Sequence, residues 1–136
     1  MTPKTREETR SALESILSAY DKMGFGLYAV VHAEDRKLIG YCGFVVREVD
    51  GQREVELGCG LAPAYWGRGL GTEAIKACRD FGFGKLGFER LISIVDPRNI
   101  ASIRVAEKTG MKLEKESAFQ GSPLHIYGMS RSAVRL

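Results

Sequence analysis

The chain has 136 residues, which is one domain's worth and enough to bury a core. Its 44% apolar content excludes a disordered or fibrous chain, and no apolar run approaches the roughly 20 residues that a membrane-spanning helix needs. Twenty basic and 17 acidic residues leave a net charge of +3, too mild to argue for nucleic acid yet favourable to a small anionic ligand.

Residues 1–10 are polar and charged, unlike a secretory signal. Residues 5–20 read as an amphipathic helix, with Thr5 and Glu8 as a capping box and Leu13, Ile16, Leu17 and Tyr20 on one stripe. Gly24 and Gly26 break that pattern. Residues 27–33 and 38–48 are rich in β-branched and aromatic side chains and read as strands. Asp50-Gly51 is a strong hairpin signal, and residues 53–61 begin with the alternation of a half-buried strand. Short connections make these three strands an antiparallel meander.

Pro63 ends the third strand. Residues 72–85 have helical spacing through Ile75, Cys78, Phe81 or Gly82, and Leu86. Residues 91–95 form a short apolar strand, so strand, helix and strand make a right-handed parallel crossover. Asn99 can cap a helix that runs to Thr109 and stops at Gly110. Residues 111–119 and 124–131 read as a final pair of strands, linked through residues 120–123. Cys42, Cys59 and Cys78 make no metal-ligand spacing. Each lies in an apolar stretch and reads as a small buried hydrophobe, and their odd number fits a reducing, cytoplasmic compartment.

The segment Tyr65-Trp66-Gly67-Arg68-Gly69-Leu70-Gly71-Thr72-Glu73-Ala74 lies between the third strand and the helix. Three glycines at alternate positions leave the backbone unobstructed and free in conformation. A helix starting at about Thr72 adds free N–H groups and the positive end of its dipole. A diphosphate suits that site, with Arg68 either adding charge or lying in solvent; a turn whose glycines serve only packing is the plain alternative. Gly69, Gly71 and Ala74 fit the dinucleotide spacing, but Glu89 precedes the second strand instead of ending it. No Gly-Lys-Ser or Gly-Lys-Thr follows, so this is not a Walker loop. Asp80-Phe81-Gly82 sits mid-helix without a kinase catalytic loop and is coincidence.

These residues resemble the GNAT superfamily of N-acetyltransferases. The family carries glutamine or arginine, two free positions, glycine, a free position, then glycine or alanine. Trp66, Gly67, Arg68, Gly69, Leu70 and Gly71 stand there. Trp66 departs from the general pattern and is similar to the branch of ribosomal-protein alanine acetyltransferases, where Trp-Gly precedes the second glycine. Glu56-Leu57-Gly58-Cys59-Gly60-Leu61 with Pro63 resembles that branch's fourth strand. Pro97, Asn99, Ser102, Arg104, Val105, Glu107, Lys108, Gly110 and Met111 resemble its downstream loop and helix.

The resemblance implies one N-acetyltransferase domain over residues 1–136. Its fold is α/β (α+β): a mixed, mostly antiparallel sheet of about six strands, with a parallel β-α-β step at a splayed centre, flanked by helices. It implies acetyl-CoA lying in that splay. The pantetheine then pairs with Cys59, Gly60 and Leu61, and the pyrophosphate meets the amides of Gly67, Arg68, Gly69, Leu70, Gly71 and Thr72. Asn99 bonds to the cofactor, and Ser102 lies near the thioester sulfur. Family members carry a strand and a helix ahead of the segment matching residues 5–20, and nothing here corresponds to them. The expectation is an N-terminally short member, or a misassigned start, and an open sheet edge of a short member would pair in a homodimer.

Acetyl transfer to an amine requires deprotonation of the amine, polarisation of the thioester carbonyl and an acid for the leaving thiolate. Glu56 is the candidate base, or else a solvent-facing strand residue. Ser102 is the candidate acid, or else a cap partner of Asn99. Tyr127 is the alternative acid, or a packing aromatic. His125 is a further candidate base. Ala106 stands where another branch has its acidic tyrosine. Trp66 is expected to pack under the turn. Cys59, in an apolar strand, is expected to have a raised pKa and to be a poor nucleophile. Direct transfer through a ternary complex follows. The expected function is acetyl-CoA-dependent N-acetylation of a primary amine, at a protein N-terminus or on a small molecule. The alternatives are a non-catalytic acyl-CoA-binding module and a subunit completed by a partner. No metal, nucleic acid or membrane partner is expected.

Overall fold

The computed structural model describes residues 24–134. The helix expected over residues 5–20 lies outside them. The first strands are β1 (Leu27–His32), β2 (Lys37–Val49) and β3 (Gln52–Leu61). They form the expected antiparallel meander. At the β2–β3 turn Asp50 and Gly51 have φ of 49° and 80°, the positive pair that a tight two-residue hairpin demands.

Helix α1 (Leu70–Gly84) then carries the chain over the sheet to β4 (Arg90–Val95), which lies parallel to β3. It begins at Leu70, earlier than the expected Thr72. Gly69 adopts φ 77° as its N-cap, and Glu73 N already donates to Gly69 O at 3.0 Å. Helix α2 (Ile100–Thr109) is capped as expected. Asn99 Oδ1 accepts from Ser102 N at 3.1 Å, and Gly110 closes the other end with φ 99°.

The last strands are β5 (Lys112–Phe119) and β6 (Ser122–Ser130), followed by a 3-10 turn at Arg131–Ala133. The expected link over residues 120–123 is shorter, because Gln120 and Gly121 (φ 50° and 80°) make a two-residue turn and Pro123 belongs to β6. The sheet order is β1-β2-β3-β4-β6-β5, antiparallel except between β3 and β4.

Both helices cover one face of the sheet. The main core there contains Cys42, Phe44 and Leu57 from β2 and β3, Ile75 and Phe83 from α1, and Leu91, Tyr127 and Met129 from β4 and β6. Strand alternation sends Ile92, Ile126 and Val49 to the opposite face, where they form a smaller cluster. The helices are joined where Arg79 Nη1 donates to Thr109 O at 2.7 Å.

Gly82 on α1 packs directly on the Phe44 ring from the sheet. A Cβ there would stand 2.8 Å from Phe44 Cζ and 3.2 Å from Phe88 Cδ2. The Phe44 ring has little room to retreat, with Phe25, Tyr28 and Phe88 at centroid distances of 6.2, 6.3 and 5.1 Å. Alanine gains about 1 kcal/mol of helix propensity over glycine, whereas overpacking a tight core costs about 1–3 kcal/mol. Gly82→Ala is therefore expected to lower stability by about 1 kcal/mol in urea denaturation; a raised midpoint would show that the ring moves aside without cost.

Candidate functional site

β3 and β4 share one registered pair, Glu56↔Ile92. Past it Ser93 Oγ donates to Leu57 O at 2.9 Å, a side-chain bond standing where a backbone ladder would continue. Beyond Leu57 the two strands separate. Ala62 N donates to Ile39 O at 2.7 Å, so the bonding groups of Gly60, Gly58 and Glu56 turn toward β2 by alternation. Those of Leu57, Cys59 and Leu61 turn the other way, into the splay. Leu61 O accepts from Trp66 Nε1 at 2.8 Å. This leaves the Cys59 N–H and C=O and the Leu61 N–H as backbone groups facing the opening. Gly60 contributes by its lack of a side chain, since Tyr41 Cζ would lie 2.6 Å from a Cβ there.

The glycine turn follows directly. Residues Pro63–Tyr65 make one 3-10 turn, then Gly67 and Gly69 adopt φ of 74° and 77°. No atom lies within 4 Å of a Cβ built on either. The amides of Leu70, Gly71 and Thr72 precede the first closed bond of α1, so they are free to meet an anion at the positive end of the helix. Two of the three glycines need the left-handed conformation; Gly71 lies within the helix. Arg68 is turned back, its Nη2 donating to Ala64 O at 3.2 Å and its Cζ lying 5.0 Å from the Tyr65 ring centroid. Trp66, expected beneath the turn, is 53% exposed, and its indole N–H donates to Leu61 O.

At the C-terminal end of β4 the chain turns through Asp96, whose carboxylate accepts from Arg98 Nη2 at 2.8 Å and Arg98 N at 2.9 Å. The Arg98 side chain, with the backbone bond, holds the Asp96 pKa at about 2. Asn99 spends Oδ1 on the cap, and its Nδ2 remains available as a donor. Ser102, in the first turn of α2, gives its backbone N–H to that cap and keeps its hydroxyl.

Glu56 sits at the apex of the splay, on the face away from the helices. Its Oε1 accepts from Arg47 Nε at 2.9 Å, a partner the sequence reading missed. Tyr127 lies on the helix side, opposite Ser93 in register. Its residue is 7% exposed, and among the described residues its hydroxyl has no hydrogen-bond partner. His125, opposite Val95, has Nε2 3.7 Å from Glu116 Oε1.

The three cysteines are not separate. Cys42 and Cys59 oppose each other across β2 and β3, and Cys42 interacts with both Cys59 and Cys78. Those thiol neighbours, with burial, push the Cys42 thiol up. The Cys42 thiol lowers the Cys59 pKa against the effect of burial, the reverse of the expectation for an isolated apolar-strand thiol. Ser93 was also missed, though a lone hydroxyl in the apolar run of residues 91–95 is a visible signal. Among the described residues no group of His, Cys, Asp or Glu could hold a metal, and no helix is long and apolar enough to cross a membrane.

The model of the acetyltransferase (GNAT) domain matches residues 1–112, and the chain belongs to this family. It is similar to the uncharacterized protein YkkB of Bacillus subtilis, with 36% identity over 110 residues that make up 79% of this chain and 63% of YkkB. It is also similar to the spermidine N(1)-acetyltransferase of Escherichia coli, with 34% identity over 84 residues, 62% of this chain and 44% of that protein. These matches span less than two thirds of either relative's length. A solved ribosomal-protein alanine acetyltransferase of Vibrio fischeri shares the fold, with a TM-score of 0.78 over 96% of this chain and 78% of that one, at 17% identity.

Asn99 separates capping from ligand contact. Asn99→Asp keeps a good N-cap, removes the Nδ2 donor and adds a negative charge. Asn99→Ala removes the cap and is expected to cost about 1 kcal/mol in denaturation. Asn99→Asp should stay near wild type in stability while weakening acetyl-CoA in calorimetry; equal binding by Asn99→Asp and wild type would restrict this residue to capping.

Proposed function

We propose that this chain is an acetyl-CoA-dependent N-acetyltransferase domain that moves the acetyl group directly to a primary amine. One observation carries the reading. The backbone groups open in the splay and the free amides at the start of α1 belong to one continuous stretch, residues 59–72, so a ligand with a peptide-like arm and a diphosphate meets both in order. Acetyl-CoA has that construction. Membership of the family and the similarity to a spermidine acetyltransferase support an amine acceptor.

In this reading the amides of Gly67, Arg68, Gly69, Leu70, Gly71 and Thr72 take the diphosphate, and Cys59 and Leu61 pair with the pantetheine. The Cys59 N–H is the donor for the thioester carbonyl oxygen as charge develops there. Glu56, directly or through water, receives the amine proton. The amine nitrogen then bonds to the carbonyl carbon and the C–S bond breaks. The departing thiolate takes its proton from Tyr127 or Ser102. Positioning supplies much of the rate, because a deprotonated amine is already a good nucleophile. Among the described residues Cys59 is partnered by thiols and by no His or carboxylate that would act as its base, and this favours direct transfer over an acetyl-enzyme intermediate even though its pKa is lowered.

The test joins binding and turnover. Wild-type protein should release free CoA thiol in the presence of a suitable amine, with intersecting initial-velocity plots. Gly69→Val should fold but lose acetyl-CoA affinity by tenfold or more, about 1.4 kcal/mol, because valine is strained at φ 77° and its side chain occupies the cradle. Unchanged affinity would remove the diphosphate assignment. Intact binding without thiol release across an amine panel would make the domain a binding module. Parallel plots with an acetyl adduct on Cys59 or Ser102 would replace direct transfer.

A further inference from the structure

The turn between β1 and β2 is tied to the entry of the glycine loop by residues that no step above uses. Tyr65 Oη donates to Asp35 Oδ2 at 2.7 Å. Asp35 N donates to His32 Nδ1 at 3.1 Å, and the His32 and Tyr65 rings lie with centroids 5.1 Å apart. Arg68 lies over the same tyrosine ring. The shared bond, first among several causes, lowers the Asp35 pKa, so the acceptor is a carboxylate and the bond is charge-assisted.

This bond differs in kind from the others that hold the loop. Tyr65 N to Ala62 O, Trp66 N to Pro63 O, Trp66 Nε1 to Leu61 O, Arg68 Nη2 to Ala64 O and Glu73 N to Gly69 O all stay within five residues. Tyr65 to Asp35 spans 30 positions. Among the described residues it is the one hydrogen bond between residues 63–69 and a distant part of the chain. The downstream end of the loop is anchored by α1. Between the anchors lie Gly67 and Gly69, and glycine loses more freedom on ordering than any other residue. Without an upstream anchor, a ligand would have to order both glycines as it bound.

We propose that Tyr65 and Asp35 are positioning residues for acetyl-CoA: their bond holds the loop entry so that the diphosphate amides stand preformed. This rests on the function proposed above. Tyr65→Phe removes the hydroxyl and keeps the ring for His32 and Arg68. Asp35→Ala removes the acceptor on an exposed turn. Asp35→Asn retains a carbonyl acceptor.

The expected result is acetyl-CoA binding about five- to tenfold weaker by calorimetry in Tyr65→Phe and Asp35→Ala, with KM raised to match. The kcat at saturating acetyl-CoA should stay within about twofold, since the bond acts on binding and not on the reacting atoms. Asp35→Asn should recover most of the affinity, and the double variant should bind no more weakly than either single one. Unchanged affinity in both single variants would overturn the proposal while leaving the proposed function standing. So would a fall in kcat at constant KM, or additive losses in the double variant. A wild-type chain that does not bind acetyl-CoA would overturn both.

Discussion

Beyond Glu56 and Ile92, β3 and β4 separate, and the rest of the site depends on that separation. A continuous parallel ladder would consume the Cys59 and Leu61 backbone groups and close the sheet. The strands stay together below this point because Leu57, Leu91 and Ile92 are buried on the sheet's two faces, and Ser93 Oγ completes the last contact to Leu57 O. The opening is thus bounded by apolar packing below and by a single hydroxyl at its apex. Unpaired backbone groups on a strand are costly when buried, and on an exposed edge they are a template for pairing. Here they face an opening that a linear ligand can enter.

The glycine loop depends on the same strand. β3 delivers the chain to Pro63–Tyr65, and α1 begins where Gly69 enters the left-handed region. An L side chain at Gly67 or Gly69 would be strained in conformation and would stand where the backbone is now bare. The helix that supplies free amides to this loop also packs Ile75 and Phe83 into the core, so stability and ligand geometry share one element.

The side chains that chemistry would recruit divide between the two faces. Glu56 is on the face away from the helices and is paired with Arg47. Tyr127 is on the helix side, with its ring in the core and its hydroxyl uncommitted among the described residues. Cys42 and Cys59 oppose each other on the helix side of the sheet, and Cys78 on α1 packs against the same core.

Local chemistry was legible in the residues themselves. Asp50-Gly51 specified its hairpin, Asn99 its cap and Gly110 its stop, and the alternating glycines specified an open strand-to-helix turn, because each acts through bonds within a few positions of itself. The six strands were legible too, with errors confined to ends such as the start of α1 and the β5–β6 turn. Partnerships were not legible. That Cys42 meets Cys59 and Cys78, that Arg47 takes Glu56, that Ser93 bridges to Leu57 and that Tyr65 reaches Asp35 follow from register and strand order. So does the end of the β3–β4 ladder after one pair. Turn and cap chemistry is decided over three or four residues, whereas contacts between residues 9 to 36 positions apart exist only once the sheet has set which strands lie side by side.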